Sequence, residues 1–147
     1  MEARGIRFND WVIGNTYETA RRTVTESDIT RFAGLSGDFN ALHTDAVFAK
    51  STPFGTNIAH GALIFSISTG LVDHSGFIEG SILAFLGAEI NWPAPVIAGD
   101  TIHVELTPIE KKLTSNPKRG VVTYTINVLN QENTIVCSQK WKLMVLV

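Results

Sequence analysis

Cysteine is almost absent from this sequence of 147 residues, and the single one, Cys137, excludes an internal disulfide framework. A lone cysteine gives no sign of thiol chemistry, so we interpret Cys137 as a small apolar residue of a strand. An excess of either charge is lacking too, because 12 basic and 14 acidic residues leave a formal net charge of −2. This balance argues against nucleic acid or an anionic membrane as a partner.

Long hydrophobic runs are also missing. Residues 51–72 contain no Asp, Glu, Lys or Arg, but proline, glycine and polar residues interrupt them, and the apolar part is shorter than the roughly 20 residues that a bilayer requires. The first residues, MEARGIRFNDW, do not resemble a signal peptide because charges occur throughout. We therefore expect a soluble protein of the cytoplasm or an organelle matrix. A composition that is 44% hydrophobic can form the core of a single domain over residues 1–147.

Hydrophobic periodicity predicts helices in the first half of the chain and strands in the second. Residues 16–23 are rich in β-formers and predict a first strand. Thr25, with Asp28 three positions later, predicts the capped start of a helix that ends at Gly34. Asp45 predicts the cap of a further short helix. Alternation with period two predicts strands at 81–92, 100–112, 120–130 and 134–146, and their short connections favour a mostly antiparallel sheet.

Residues 60–75 predict a long helix without a polar face. Small or apolar residues occupy every side of it and no charge occurs before Asp73, so we expect this helix to be buried all round. The simplest packing is an α+β fold in which an antiparallel sheet of about five strands wraps around the helix. Any helix surface left bare, together with an edge strand, needs a cover, which predicts a homodimer.

Three candidate functional side chains, Asp38, Asn40 and His43, lie within one short polar segment. An acid and an imidazole close together can divide proton transfer, one accepting a proton while the other donates one. Asn40 has both a donor and an acceptor and could fix the segment. From spacing alone, an Asx turn followed by an incidental histidine is the slightly favoured interpretation.

Gly61 follows His60 at the start of the predicted long helix. The first N–H groups of a helix have no partner inside the helix and carry partial positive charge. Because glycine has no side chain, a carbonyl oxygen can approach the Gly61 N–H closely and be polarised there. The alternative is that Gly61 only permits close packing of the helix.

Two segments, S-G-D-F-N-A-L-H-T-D-A-V-F-A and F-G-T-N-I-A-H-G-A-L, together resemble the MaoC-like dehydratase family, the (R)-specific enoyl-CoA hydratases with a hot-dog fold. The resemblance covers nearly the whole chain, including T-V-T-E-S-D-I-T-R-F-A and N-W-P-A-P-V-I-A-G-D. It implies reversible hydration of a 2-enoyl thioester of coenzyme A or acyl-carrier protein to the (R)-3-hydroxyacyl thioester. The implied enzyme needs no cofactor other than its thioester substrate.

The resemblance also implies roles for individual residues. Asp38 and His43 would hold and activate the water, and the Gly61 N–H would bind the thioester oxygen. Asn40 would support the segment that carries the pair. Thr69 falls where some relatives carry a serine that lines the acyl pocket, so it is a weaker candidate for substrate contact. The family usually has proline where this chain has Ala41, which predicts a looser segment.

The other histidines carry weaker signals. His60 is a candidate for substrate contact and is expected to orient the start of the long helix. His74 and His103 are expected to be structural or solvated. A metal site requires three or four converging ligands, and Asp38, His43 and Asp45 do not form a recognisable set, so we expect none.

Two other functions remain open on sequence grounds. A thioesterase of the same fold would need a carboxylate on the central helix, which offers only Asp73. A non-catalytic module that binds acyl thioesters or regulates is the second alternative. A basic cluster formed by Lys111, Lys112, Lys118 and Arg119 either meets coenzyme A phosphates or an acidic carrier protein, or is a solvated hairpin end. Short, long, branched and dicarboxylic acyl groups all remain possible.

Overall fold

The computed structural model describes residues 4–147. Hydrogen bonds between residues close in sequence set the start of its first helix. Helix α1 spans Glu26–Ser36. The Thr25 hydroxyl accepts a hydrogen bond from the Asp28 N–H, and the Asp28 carboxylate accepts one from the Thr25 N–H, which confirms the predicted cap. The predicted end at Gly34 is wrong. The helix continues to Ser36 because Gly37, with a φ of 77°, supplies the left-handed conformation that ends it.

Two short helices follow. Helix α2 spans Ala41–Thr44 and begins after Asn40, and helix α3 spans Ala46–Lys50 and begins after Asp45. The Asp45 carboxylate accepts hydrogen bonds from two N–H groups of α3, as predicted. His43 therefore lies on a helical turn, whereas the sequence predicted a loop.

In the part of the chain that the structure describes, the sheet is antiparallel and has six strands. The strands are β1 (Tyr17–Glu18), β2 (Arg22–Thr23), β3 (Ile82–Asn91), β4 (Thr101–Leu113), β5 (Arg119–Leu129) and β6 (Ile135–Leu146). Their order is β1-β4-β5-β6-β3, and β2 also pairs with β4. The four long strands begin and end within one residue of their predicted bounds.

The predicted first strand at 16–23 forms two short strands, because Thr19 interrupts its pairing with β4. The Thr19 N–H donates to the Val104 carbonyl, but the Val104 N–H donates to the Thr19 hydroxyl. A side chain here takes the place of the backbone acceptor that a continuous ladder requires.

The long central helix α4 spans Gly61–His74. Its buried residues are Leu63, Ile64, Ile67, Ser68, Leu71 and Val72, and the apolar ones belong to the same core cluster as the inward residues of β4, β5 and β6. The sheet and helix together form a hot-dog fold. The prediction that α4 is buried on every side is wrong for the single chain, since Ala62, Ser66 and Gly70 are exposed. The sheet covers one side of the helix and leaves this row of small residues bare.

Strand β3 is an edge of the sheet and pairs with β6. It exposes Leu83, Phe85 and Leu86, and Phe85 contacts Phe65 of α4 with ring centroids 6.1 Å apart. Phe85 therefore lies beside α4, whereas Leu83 lies near Met144 and Leu146 of β6. We call Leu83, Phe85 and Leu86 the β3 apolar edge.

Lys111, a lysine of the basic cluster, anchors residues 8–11 through hydrogen bonds. Lys111 Nζ donates hydrogen bonds to the carbonyls of Phe8, Asn9 and Trp11. Lys111 is therefore engaged within the chain. It is neither a free cation for coenzyme A phosphates or an acidic carrier protein nor a solvated residue of the hairpin end. Cys137 is buried in β6, as interpreted, and burial raises the pKa of its thiol.

Within residues 4–147, no helix has the length and apolar character needed to cross a bilayer. Residues 1–3, the beginning of the segment that does not resemble a signal peptide, lie outside the described residues.

Candidate active site

Asp38 lies between α1 and α2, and its two carboxylate oxygens have different surroundings. Oδ1 accepts a hydrogen bond from the Asn40 N–H at 3.2 Å, and Asn40 Oδ1 accepts one from the Leu42 N–H at 3.0 Å. These are the Asx contacts of the alternative interpretation. Asp38 Oδ2 nevertheless lies 3.9 Å from His43 Nε2. The Asx turn and the acid–imidazole pair thus occur together, because each uses a different oxygen.

A backbone carbonyl sets the tautomer of His43. His43 Nδ1 lies 2.7 Å from the Ile58 carbonyl oxygen, which can only accept a hydrogen bond. Nδ1 therefore carries the proton, and Nε2 presents a lone pair toward Asp38. The distance of 3.9 Å exceeds that of a direct hydrogen bond. With 52% of the Asp38 side chain and 11% of the His43 side chain exposed, a small molecule can reach both groups.

Helix α2 is held in place by Asn57, which sequence reasoning did not single out. Asn57 Nδ2 lies 3.3 Å from the Ala41 carbonyl oxygen, 3.0 Å from that of Leu42 and 3.2 Å from that of Asp45. These contacts restrain the turn that carries His43. The looseness predicted from Ala41 is thus opposed by a residue distant in sequence.

His60 is placed differently from the prediction. It precedes α4, but its side chain makes no capping hydrogen bond, and it lines neither of the cavities beside His43. Only 2% of the residue is exposed. Its Nε2 donates to the Asp38 carbonyl at 2.9 Å, and its ring stacks on His43 with centroids 3.8 Å apart. His60 immediately precedes the first residue of α4, and from this position its side chain contacts both Asp38 and His43.

Gly61 combines both interpretations given for it. Among residues 4–147, no atom accepts a hydrogen bond from the Gly61 N–H, as expected at a helix start. A Cβ at this position would lie 2.7 Å from Trp92 Cε2, so the missing side chain makes room for the indole. Trp92 Nε1 donates to the Gly61 carbonyl at 3.0 Å. Trp92 is a second site residue that the sequence did not indicate.

An apolar pocket of about 600 Å³ lies beside His43, whereas Asp38 does not line it. His43, Phe54, Gly61, Ile64 and Trp92 line it with the loop 93–96, and no Asp, Glu, Lys or Arg contributes to its wall. Pockets of this size and character bind small organic molecules. A second cavity of about 460 Å³ shares His43 and has polar residues in its wall.

Thr69 lines neither of the two cavities beside His43, and its role as a pocket residue stays a prediction. Its hydroxyl donates to the Ser66 carbonyl at 2.7 Å. Thr69 lies eight residues beyond Gly61, roughly 12 Å along the helix at 1.5 Å per residue. Asp73 is more distant still, so the carboxylate that a thioesterase would need is not near the helix start.

Asp38, His43 and His60 each offer a possible metal ligand, and these three atoms lie within 4.8 Å of one another. The protons on His43 Nδ1 and His60 Nε2 are engaged with carbonyls, which leaves one nitrogen of each ring for a metal. The remaining nitrogen of His60, Nδ1, is buried. This set suits proton transfer better than metal binding, and the absence of a metal stays a prediction.

Residues 9–129 match the family described as MaoC like domain, and the chain belongs to that family. It is 35% identical over 107 residues to the (R)-specific enoyl-CoA hydratase of Aeromonas caviae, with 71% of this chain and 74% of that protein covered. It is 40% identical over 101 residues to Protein MaoC of Klebsiella aerogenes. That match covers 68% of this chain but only 30% of the length of Protein MaoC.

Solved structures agree with the family assignment. A monoamine oxidase regulatory protein from Archaeoglobus fulgius superimposes with a TM-score of 0.90 and 39% identity, covering 99% of this chain and 98% of that one. A MaoC-like dehydratase from Rhodospirillum rubrum gives a TM-score of 0.87 and 30% identity, covering 97% of each chain. Together with the names of the relatives, these similarities support a hydratase-type enzyme.

Proposed function

We propose that this protein catalyses the reversible hydration of a 2-enoyl thioester to the (R)-3-hydroxyacyl thioester. The observation that carries the proposal is the position of Asp38 Oδ2, 3.9 Å from the free lone pair of His43 Nε2, where His43 lines an apolar pocket together with Gly61. The (R)-specific hydratase activity of the Aeromonas caviae relative, as its name states it, supports the choice of product.

The proposed chemistry uses the pair and the start of α4. A water held between Asp38 Oδ2 and His43 Nε2 gives a proton to one of them as its oxygen bonds to C3. The same proton is then delivered to C2, either by the group that received it or after transfer to the other group, and both groups are back in their starting state. The Gly61 N–H would stabilise the negative charge on the thioester oxygen while the enolate exists.

The pocket wall favours an apolar acyl chain. Because no Asp, Glu, Lys or Arg lines the pocket, a second carboxylate on a dicarboxylic acyl group would be buried without a partner. The proposed substrates are therefore straight or branched apolar 2-enoyl thioesters, with no cofactor beyond the thioester itself.

We also propose that the working unit is a homodimer. The β3 apolar edge exposes Leu83, Phe85 and Leu86 to 42–48%, and Phe85 lies beside α4, which carries the bare row of small residues. An unpaired strand edge with apolar side chains is a ready surface for a second copy of the chain.

The direct test is hydration of 2-butenoyl-CoA, followed by loss of absorbance of the conjugated double bond and by chiral analysis of the product. We expect turnover to the (R)-3-hydroxy product. Release of free thiol without hydration would favour the thioesterase alternative. Binding of the thioester without either reaction would favour the non-catalytic module.

A further inference from the structure

We propose that His60 is a positioning residue that holds Asp38 and His43 in the arrangement needed for proton transfer. The kinetic test of this inference rests on the proposed function. Its spectroscopic test depends only on the arrangement of the side chains. His60 is distant from both partners in sequence, and it contacts each of them through a different part of its ring.

The first contact fixes the backbone of Asp38. His60 Nε2 donates to the Asp38 carbonyl at 2.9 Å, while the Asn40 N–H holds the carboxylate through Oδ1. Asp38 is thereby held at its main chain and at its side chain. Only Oδ2 is left to face His43 Nε2.

The second contact fixes the ring plane of His43. The His60 ring stacks on it with centroids 3.8 Å apart and an angle of 29° between the planes. On another side of His60, Phe32 of α1 makes an edge contact with centroids 5.0 Å apart. The Ile58 carbonyl holds the edge of the His43 ring and His60 holds its face, so the direction of the Nε2 lone pair is defined.

The buried position of His60 separates this role from substrate binding. His60 is 2% exposed and lines neither cavity, and its Nδ1 has no hydrogen-bond partner among the described residues. A side chain that does not touch substrate should affect the turnover number more than the Michaelis constant.

Three variants separate the two contacts. His60→Gln retains an N–H donor in reach of the Asp38 carbonyl but loses the stack. His60→Phe retains a flat ring against His43 but loses the donor, and His60→Ala loses both. We expect His60→Ala to lower kcat roughly 10- to 100-fold, the cost of slight misplacement of reacting groups, with KM within about twofold. His60→Gln and His60→Phe should each retain more activity than His60→Ala.

The matched control is His74→Ala, since His74 is an exposed histidine at the other end of α4. It should leave kcat unchanged. Full kcat in His60→Ala, or a rise in KM with unchanged kcat, would overturn the inference. If His60→Ala fails to fold, the Gln and Phe variants carry the kinetic test, and wild-type activity from both of them would overturn it too.

A second readout does not depend on turnover. In ¹H–¹⁵N spectra of the imidazole rings, the wild type should show His43 protonated at Nδ1 and His60 at Nε2. In both His60→Phe and His60→Ala, the Ile58 carbonyl should keep His43 in its Nδ1 tautomer. In His60→Ala the His43 ring signals should broaden because nothing holds the face of the ring, whereas in His60→Phe they should stay sharp. Equally sharp His43 ring signals in His60→Ala would count against the positioning role even if the proposed hydration is never observed.

Discussion

At the scale of single residues, the two carboxylate oxygens of Asp38 have different roles in the site. Oδ1 accepts the Asn40 N–H and closes the turn, and Oδ2 faces His43. An amide at this position can retain the turn through its own oxygen while losing the charge. The structural and chemical roles of Asp38 are therefore separable by substitution.

Asp38→Asn should lower kcat by roughly 100-fold or more, the usual contribution of a general acid or base. His43→Ala should have an effect of the same order. Both variants should stay folded, because Asp38 is exposed and His43, although only 11% of its side chain is exposed, is not part of the hydrophobic core cluster. Steady-state kinetics with a melting curve for each variant checks this, and near-normal turnover in either one would reject the assigned pair.

Gly61 requires a double variant, because its missing side chain also makes room for Trp92. In Gly61→Ala the new methyl group collides with the indole, so a loss of activity alone has two explanations. Gly61→Ala combined with Trp92→Ala relieves the collision, and Trp92→Ala alone is the control. If the Gly61 N–H binds the thioester oxygen, kcat of the double variant should stay at least about tenfold below that of Trp92→Ala. Equal kcat values for these two would leave Gly61 with a packing role only.

At the scale of elements, helix α2 is short and depends on contacts from outside. Asn57 donates hydrogen bonds to backbone carbonyls of α2 and of Asp45 just after it, and Asn40 caps the start of the helix. The absence of the family's proline at Ala41 is thereby compensated. The contact with Asn57 restrains the same carbonyl groups whichever residue occupies position 41.

Ala41→Pro should raise the free energy of unfolding by about 0.4–1 kcal/mol, because proline reduces the freedom of the unfolded chain. Ala41 is the first residue of α2, where proline is tolerated, and Asn40 has φ −51° and ψ 137°, an extended conformation compatible with a following proline. Urea unfolding measures the change. A loss of stability would show that the Ala41 N–H or its conformation matters in a way not evident from the structure.

Helix α1 should show a pH-dependent cap. Burial opposes ionisation of Asp28, but its hydrogen bonds with Thr25 and the nearby Arg22 outweigh burial and hold the pKa below 3.8. A carboxyl with a lowered pKa stabilises the fold above its ordinary value and loses that contribution as the pH falls through the folded value. Asp28→Asn should therefore be less stable than the wild type at pH 7, with the difference shrinking below pH 3.8. A difference that is independent of pH would contradict this account.

At the scale of the whole molecule, the fold leaves one side of α4 and the β3 apolar edge uncovered. The sheet ends at β3, so its last strand has unpaired backbone groups as well as exposed Leu83, Phe85 and Leu86. A second copy that pairs along this edge would continue the sheet and cover the small residues of α4.

Sedimentation at micromolar concentration should give a mass of about twice 16.0 kDa. Leu86→Lys, on the β3 apolar edge, should shift the protein toward monomer because it places a charge in the interface. Leu113→Lys is the matched control, since Leu113 is similarly exposed at 53% but lies at the far end of β4. A wild-type monomer with full activity would exclude the dimer as the working unit.

Local sequence patterns were enough to predict the caps at Thr25 and Asp45, the bounds of the four long strands to within one residue, and the grouping of Asp38 and His43 in one short segment. These features depend on interactions between residues close in sequence, or on a pattern that repeats along one element. They can therefore be predicted from one sequence. The end of α1 was missed by two positions, Ser36 instead of Gly34, because Gly34 and Gly37 are both plausible stops and only the backbone conformation distinguishes them.

Only the tertiary structure decided which distant residues complete the site. Asn57, His60 and Trp92 contact their partners across 12 to 31 positions of the chain. Such contacts depend on how α4 packs against the loops before and after it, and no periodicity encodes that packing. The same packing leaves Ala62, Ser66 and Gly70 on one side of α4 exposed.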